Sequence, residues 1–320
     1  MNSTPLVSIL TPCYNSKEFI AETIESVLTQ TYPNFEMIIV DDGPKEPVKE
    51  IVESYKSSKI HYYYTENGGP ARARNYAARR SSGDYVAFLD HDDLWVPQKL
   101  EQQLEALERD KTVWICSGCQ RVNFYTNKIL ETHQKPDFHK NVFFDILIDN
   151  DLCFSSVIIK KSVFFDVGLF DESIIFMDDR DLYLRIAKIY PLTNLSAIHI
   201  INKVHGSNIT TSLSLERKFK IYETVVNNAL RLNVEIPPEV MTESNRIFCQ
   251  SACVEYLRMN DVPNTRKMLK SFKIDYRNRK FILYKLICKL DDETVVKTMT
   301  TFRKLRAFFI RSKIYPTSNV

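Results

Sequence analysis

Gly83-Asp-Tyr-Val-Ala-Phe-Leu-Asp-His-Asp-Asp93 decides the reading of this chain. Asp84 to Leu89 predicts a short buried strand, opened by a glycine and closed by acidic residues. Asp90, Asp92 and Asp93 then crowd three carboxylates into four positions. Such groups repel one another unless a cation or hydrogen-bond donors offset their charge. A Mg²⁺ or Mn²⁺ held by one or two carboxylates, with diphosphate oxygens and water completing its shell, would meet that need. It would also stabilise charge on a departing diphosphate. The plainer alternative is a solvated turn in which Asp93 or a neighbour caps the next helix.

Working outward, the first half of the chain alternates between strand and helix patterns. Strands are predicted over 6–11, 35–40 and 59–64, and helices over 16–29, 47–55, 71–80 and 98–110. Asn15, with Glu18 three residues on, is the expected cap of the first helix. This alternation predicts βαβ units and a parallel sheet, an α/β fold. Parallel sheets bind ligands beyond the carboxyl ends of their strands. Pro12-Cys-Tyr-Asn15, Asp41-Asp-Gly43 and Asp90-His-Asp-Asp93 all fall at such ends, so they converge on one rim. Past Val113 the pattern turns to short strands, with a helix over 140–148, a strand over 155–160, a helix over 179–189 and a strand over 198–203. From about Ser212 only helices are read. The predicted organisation is a catalytic domain over 1–211 and a helical extension over 212–320.

The chain has 320 residues, of which 44% are hydrophobic, enough for a sizeable core. Its net charge of +3 hides an asymmetry, because Arg266 to Lys313 carries 15 Lys or Arg against 4 Asp or Glu. The tail is basic and the body acidic. Seven scattered cysteines do not form a disulfide framework, which favours a reduced, cytoplasmic setting. Cys116 and Cys119 form a single CxxC within a strand-like stretch and are read as buried thiols rather than a zinc site. No leader or membrane-spanning run is expected.

The segments together resemble glycosyltransferase family 2, from Leu6 to about Ser207. The resemblance rests on Val7-Ser-Ile-Leu-Thr-Pro-Cys-Tyr-Asn15, Glu25-Ser-Val-Leu-Thr-Gln30, Ile38-Ile-Val-Asp-Asp-Gly43, Asn67-Gly68, Ala73-Arg-Asn75 and Gly83 to Asp93. It continues through Ser155-Ser156 with Lys160, Gly168-Leu-Phe-Asp171, Asp178-Asp-Arg-Asp-Leu182, Arg185 and His205. It implies a GT-A fold, a UDP-sugar donor and inversion at the anomeric carbon. By this likeness Tyr14 stacks on the nucleobase and Asp42 accepts a hydrogen bond from it. Pro12, Asn15, Asn67 and His91 complete the donor site. Asp90 and Asp92 match the DxD motif, Asp92 being the expected metal ligand, and His205 would lie near the metal or diphosphate. Arg74 would reach the donor, or else form an ion pair within the fold. Asp179 matches the catalytic base, and Asp93 and Asp178 would support the loop or meet sugar and acceptor. As alternatives, Asp178 and Asp179 merely cap their helix, and Lys203 is a solvated strand end.

Departures from the family pattern also carry meaning. Asp178 stands where the family has Glu, and Pro44-Lys-Glu46 replaces the usual Ser and Asp after the Asp41-Asp-Gly43 turn. No Gln-x-x-Arg-Trp motif of processive relatives is present. The expected activity is transfer of one hexosyl or N-acetylhexosaminyl unit to a surface glycan, such as lipopolysaccharide. The acceptor would be a glycan or be lipid-linked, and no nucleic-acid partner is expected. The basic stretches Phe281 to Leu290 and Phe302 to Arg311 would rest on the inner face of an anionic membrane or pack as a bundle. A nucleotidyltransferase would normally carry a Gly-rich basic loop after the first strand, which Pro12-Cys-Tyr-Asn15 lacks. A catalytically inactive binding module would have little reason to keep Asp90, Asp92 and Asp179 together.

Overall fold

In a computed structural model the chain divides into two compact units, Met1–Ile236 and Pro237–Val320. The structure describes residues 4–43, 45–205, 214–258, 263, 264, 266 and 267. The stretches 281–290 and 302–311, Cys288 and Ser207 lie outside the described residues. The boundary falls later than the expected 211/212, because the helix after it belongs with the first unit.

The first unit is built on strands β1 (Val7–Cys13), β2 (Phe35–Asp42), β3 (Ile60–Thr65), β4 (Tyr85–Phe88), β5 (Asp93–Trp95), β6 (Trp114–Asn123), β7 (Ile129–His133), β8 (Phe138–Lys140), β9 (Ile158–Lys160) and β10 (Leu192–Val204). They form one mixed sheet in the order β3-β2-β1-β4-β9-β6-β10-β5, with β7 beside β6 and β8 beside β10. The β3-β2-β1-β4 ladders and the long β6-β10 ladder are parallel. β1 is buried along its whole length, as a central parallel strand covered on both faces must be.

Helices α1 (Ile20–Leu28), α2 (Lys49–Ser54), α3 (Pro70–Arg80), α4 (Lys99–Arg109), α5 (Phe143–Ile148), α6 (Lys161–Asp166), α7 (Asp178–Ala187) and α8 (Leu215–Leu230) complete the unit. Residues Ile20, Thr23, Ile24 and Val27 of α1 face the core at helical spacing. Proline occupies the first position of α3, where its missing N–H costs nothing. Helix α9 (Pro238–Arg258) belongs to the second unit. No described helix is long and apolar enough to cross a membrane.

Asn15 does not cap α1. It takes a left-handed conformation (φ 51°), and the turn from Ser16 to Phe19 delays the helix until Ile20. Asp93 does not cap α4 either, because it opens strand β5. The two thiols of the CxxC are divided between partners, as residues three apart on a strand must be. Cys116 Sγ lies 3.2 Å from Asn194 Oδ1, while Cys119 is hydrogen-bonded to Cys153. Burial pushes the Cys116 thiol up to about 12.

Lys99 is the least expected core residue. It is fully buried, its ammonium has no hydrogen-bond partner, and Nζ sits 3.8 Å from the centre of the Trp95 ring. Burial holds its pKa well below the ordinary lysine value. Lys99→Met keeps the chain length and removes the desolvation cost, so it is expected to stabilise the fold by about 1–2 kcal/mol. A lower urea midpoint than wild type would contradict this.

Candidate active site

The strand ends form the predicted rim. The β1–β2 ladder ends with Cys13 beside Asp41, and the β2–β3 ladder with Asp42 beside Thr65. The Leu89 N–H donates to Leu10 O at 3.2 Å, which brings Asp90 to the same edge. Side chains then lock the loops. His91 Nδ1 donates to Pro12 O at 3.1 Å, and Thr23 Oγ1 donates to the carbonyls of His91 (2.8 Å) and Asp93 (3.1 Å).

Asp42 is a receptor for backbone as well as a candidate base contact. Its two oxygens accept the N–H groups of Gly68 (2.9 Å) and Gly69 (2.8 Å), and Asn67 Nδ2 donates to Asp42 O at 3.1 Å. Gly43 is required beside it: φ is +64°, and a Cβ would stand 2.5 Å from Asn67 N. Asp41 is oriented by the Val48 N–H (2.9 Å) and the Tyr62 hydroxyl (2.8 Å), and burial raises its pKa. Tyr14 is 44% exposed on this rim, so its ring is open to a ligand. Asn15 and Asn67 are exposed beside it.

Asp90, Asp92 and Asp93 part company. Asp90 Oδ1 accepts Arg74 Nη2 at 2.8 Å. Asp92 Oδ2 lies 2.9 Å from His205 Nε2, whose ring is stacked on Phe19 at 4.3 Å between centroids. Asp93 is 2% exposed and accepts Ser155 Oγ (2.5 Å) and Asn202 Nδ2 (2.7 Å). Burial and the charges of Asp92 and Asp90 raise its pKa well above the usual range. Asp93 is thus enclosed by Ser155 and Asn202.

Arg74 forms the ion pair within the fold. Its guanidinium is buried over the Phe154 ring (4.2 Å) and gives Nη2 to Asp90 and Nη1 to Asp178 Oδ2, each at 2.8 Å. One cation thus ties the end of β4 to the start of α7. Asp178 is buried and turned inward onto Arg74. Neither acid occupies the N-cap position of α7, which is Met177 in a left-handed conformation (φ 63°), although their carboxylates accept N–H groups of its first turn. Lys203 is buried and pairs with Glu22 rather than being solvated.

Asp179 Oδ1 accepts the Arg180 N–H at 2.8 Å, and Oδ2 accepts Asn150 Nδ2 at 2.9 Å. Desolvation and the neighbouring Asp178 charge raise its pKa to about 6, a value suited to taking a proton near neutrality. Asn150 was not foreseen, because a lone Asn in an irregular stretch carries no periodic signal. Within α7, Arg185 pairs with Asp181, which also accepts Asn228 Nδ2 of α8 at 2.9 Å.

Among the described residues no three His, Cys, Asp or Glu side chains gather closely enough to hold a metal alone. Of the expected set of Asp90, Asp92 and His205, the last two are adjacent, while Asp90 is paired with Arg74. The adjacent Asp92 and His205 still fit as the protein's share of a Mg²⁺ or Mn²⁺ shell completed by diphosphate and water.

A parallel-sheet rim with these acidic loops has the layout of the GT-A fold of glycosyltransferases. The chain belongs to glycosyl transferase family 2, whose family model matches residues 8–168. An uncharacterized glycosyltransferase of Rickettsia typhi is 33% identical over 216 residues, covering 65% of this chain and 67% of that protein. The glucosyltransferase WfgD of Escherichia coli, named UDP-Glc:alpha-D-GlcNAc-diphosphoundecaprenol beta-1,3-glucosyltransferase, is 28% identical over 230 residues. Those residues are 70% of this chain and 88% of WfgD. TarS 1-349 of S. aureus, solved with UDP-GlcNAc, shares the fold with a TM-score of 0.59 at 18% identity, over 86% of this chain and 93% of that one.

Proposed function

We propose that this glycosyltransferase inverts configuration as it moves one hexosyl or N-acetylhexosaminyl unit from a UDP-sugar to a hydroxyl of a surface-glycan acceptor. The observation that supports this reading is the Asp90–Arg74–Asp178 bridge, which ties the end of β4 to the start of α7, where the half-buried Asp179 lies. UDP as the donor nucleotide is supported by the bound UDP-GlcNAc of TarS and by the donor in the name of WfgD. That name also supports a lipid-linked acceptor, and such an acceptor would bring the enzyme to a membrane surface.

Tyr14 stacks on the uracil and Asp42 takes its N–H. Asp92 and His205 would hold a divalent ion, and such an ion would supply charge stabilisation at the departing diphosphate. The acceptor hydroxyl attacks from the opposite face, and its proton passes to Asp179. Protonation of Asp179 blocks that step, so kcat/KM is expected to fall tenfold per pH unit below about pH 6.

Thermal-shift binding of UDP, GDP, CMP and dTDP, with and without Mn²⁺, tests the donor site. A ligand at a hundred times its Kd stabilises by about 2.7 kcal/mol. UDP with Mn²⁺ should raise Tm selectively, and Asp92→Ala should lose the Mn²⁺-dependent part. No shift with any nucleotide would sink the donor reading and favour an inactive module.

A further inference from the structure

Among the described residues, Asn150 is the one side chain that hydrogen-bonds the Asp179 carboxylate. The Arg180 N–H that takes Oδ1 belongs to the same turn of α7, and by itself it leaves the carboxylate free to swing about that oxygen. The Asn150 amide takes the other oxygen, Oδ2, at 2.9 Å. Two donors on two oxygens fix the plane of the group. The amide makes this bond although its own Oδ1 is left buried without a partner.

Asn150 is itself held in place. It lies two residues past α5, where the Asp149 N–H donates to Asp145 O at 2.9 Å. The Arg180 guanidinium donates to Leu147 O, which ties the end of α5 to the start of α7. On the other side of Asn150, Asp151 pairs with Lys135 at 2.5 Å. Five positions on, Ser155 Oγ accepts the Asp90 N–H at 3.2 Å and donates to Asp93. One segment, 150–155, thus serves Asp179 at one end and the acidic loop at the other.

The charges that reach Asp179 are those of Asp178 and Arg180 on α7 and Arg74 on α3. Asp149, at the end of α5, faces Arg180, and burial holds the Tyr183 phenol well above its ordinary range, so it stays neutral. Asn150 adds no charge, only a donor. A donor to a carboxylate favours the ionised form.

We infer that Asn150 is a positioning residue for the base: its amide fixes the plane of the Asp179 carboxylate and favours the ionised state that takes the acceptor proton. The inference rests on the transferase reading above for the role of Asp179.

Carboxyl ¹³C NMR of the full chain labelled at the aspartate Cγ tests it without any substrate, with the Asp179 signal identified by its loss in Asp179→Asn. The wild-type signal should titrate at about 6. Asn150→Leu keeps the side-chain volume and removes the donor, so the midpoint should rise by about one pH unit. Asn150→Asp sets a second carboxyl against the first, and the upper midpoint of that pair should lie about two pH units above the wild type. A midpoint that stays at the wild-type value in both variants would overturn the inference. Hydrolysis of UDP-glucose and UDP-N-acetylglucosamine with Mn²⁺ and no acceptor supplies the second readout. In Asn150→Leu the acid limb of kcat/KM should move up with the NMR midpoint, and kcat at pH 7 should fall about tenfold while KM stays within about twofold. An inactive Asp179→Asn beside an Asn150→Leu with the wild-type rate and acid limb would overturn the inference and leave the base reading standing. A raised midpoint with hydrolysis untouched by Asp179→Asn would uphold the Asn150 contact and count against the base reading alone.

Discussion

Asp179→Asn is expected to lower sugar transfer by about a thousandfold while UDP affinity stays within about twofold. Positioned general bases contribute about 10²–10⁴-fold, and an amide cannot take the acceptor proton. The substitution is nearly isosteric, and the site can absorb it. The amide that replaces the carboxylate keeps an oxygen for the Arg180 N–H. Asn150 can rotate its own amide to present Oδ1, which is buried and has no partner in the wild type. The variant should also be no less stable at neutral pH. The folded carboxyl titrates at about 6 against 3.8 for the free group, so the folded state holds more protons between those values. Ionisation of Asp179 therefore lowers stability as pH rises through that window, and the full cost is present above about pH 6. The neutral amide removes that cost. A steady-state assay together with a melting curve checks both parts, and wild-type transfer by the variant would end the assignment of Asp179 as base.

Arg74→Met has the second large effect, on folding as well as turnover. It leaves Asp178, which is 8% exposed, and Asp90 without their shared cation. Removing one partner of a buried pair costs about 3–5 kcal/mol, and the one-third exposure of Asp90 places this case near the lower figure. Lysine should not rescue it, because an ammonium has its donors on one nitrogen and lacks the planar fork that spans Asp90 and Asp178 from two nitrogens over the Phe154 ring. The double variant Arg74→Met/Asp178→Asn should regain part of the stability, since it deletes the charge left unpaired. Urea midpoints of the three variants decide this, and a double variant less stable than Arg74→Met would contradict the bridge.

The parts of the fold that follow local rules were legible in the sequence. The apolar run of β1 and the alternation through β4 announce buried parallel strands, and their acidic ends announce the rim. What escaped depends on partners far along the chain. β5 is three residues long and exists because Trp95 pairs with Ile200 across the sheet. In sequence, Asp93 reads equally as a loop support, a sugar contact or a helix cap, and the Ser155 and Asn202 that enclose it lie far along the chain. The Arg74 bridge joins residues 104 positions apart, so no local pattern contains it. The turn at Asn15 replaced an expected cap because Asn15 is left-handed and the Ser16 carbonyl takes the N–H groups of Phe19 and Ile20 before α1 begins. The position of α8 against α7 was likewise unreadable, since its contact with Asp181 runs through a single Asn228.

Proton NMR of the sugar released when the protein, Mn²⁺ and an α-linked UDP-sugar are incubated without acceptor tests the central claim most directly. Water then stands in for the acceptor hydroxyl. The account predicts that the β-anomer appears first, before mutarotation, and that its appearance is lost in Asp179→Asn. Release of the α-anomer first, or a rate unchanged by Asp179→Asn, would contradict an inverting transfer driven by that carboxylate.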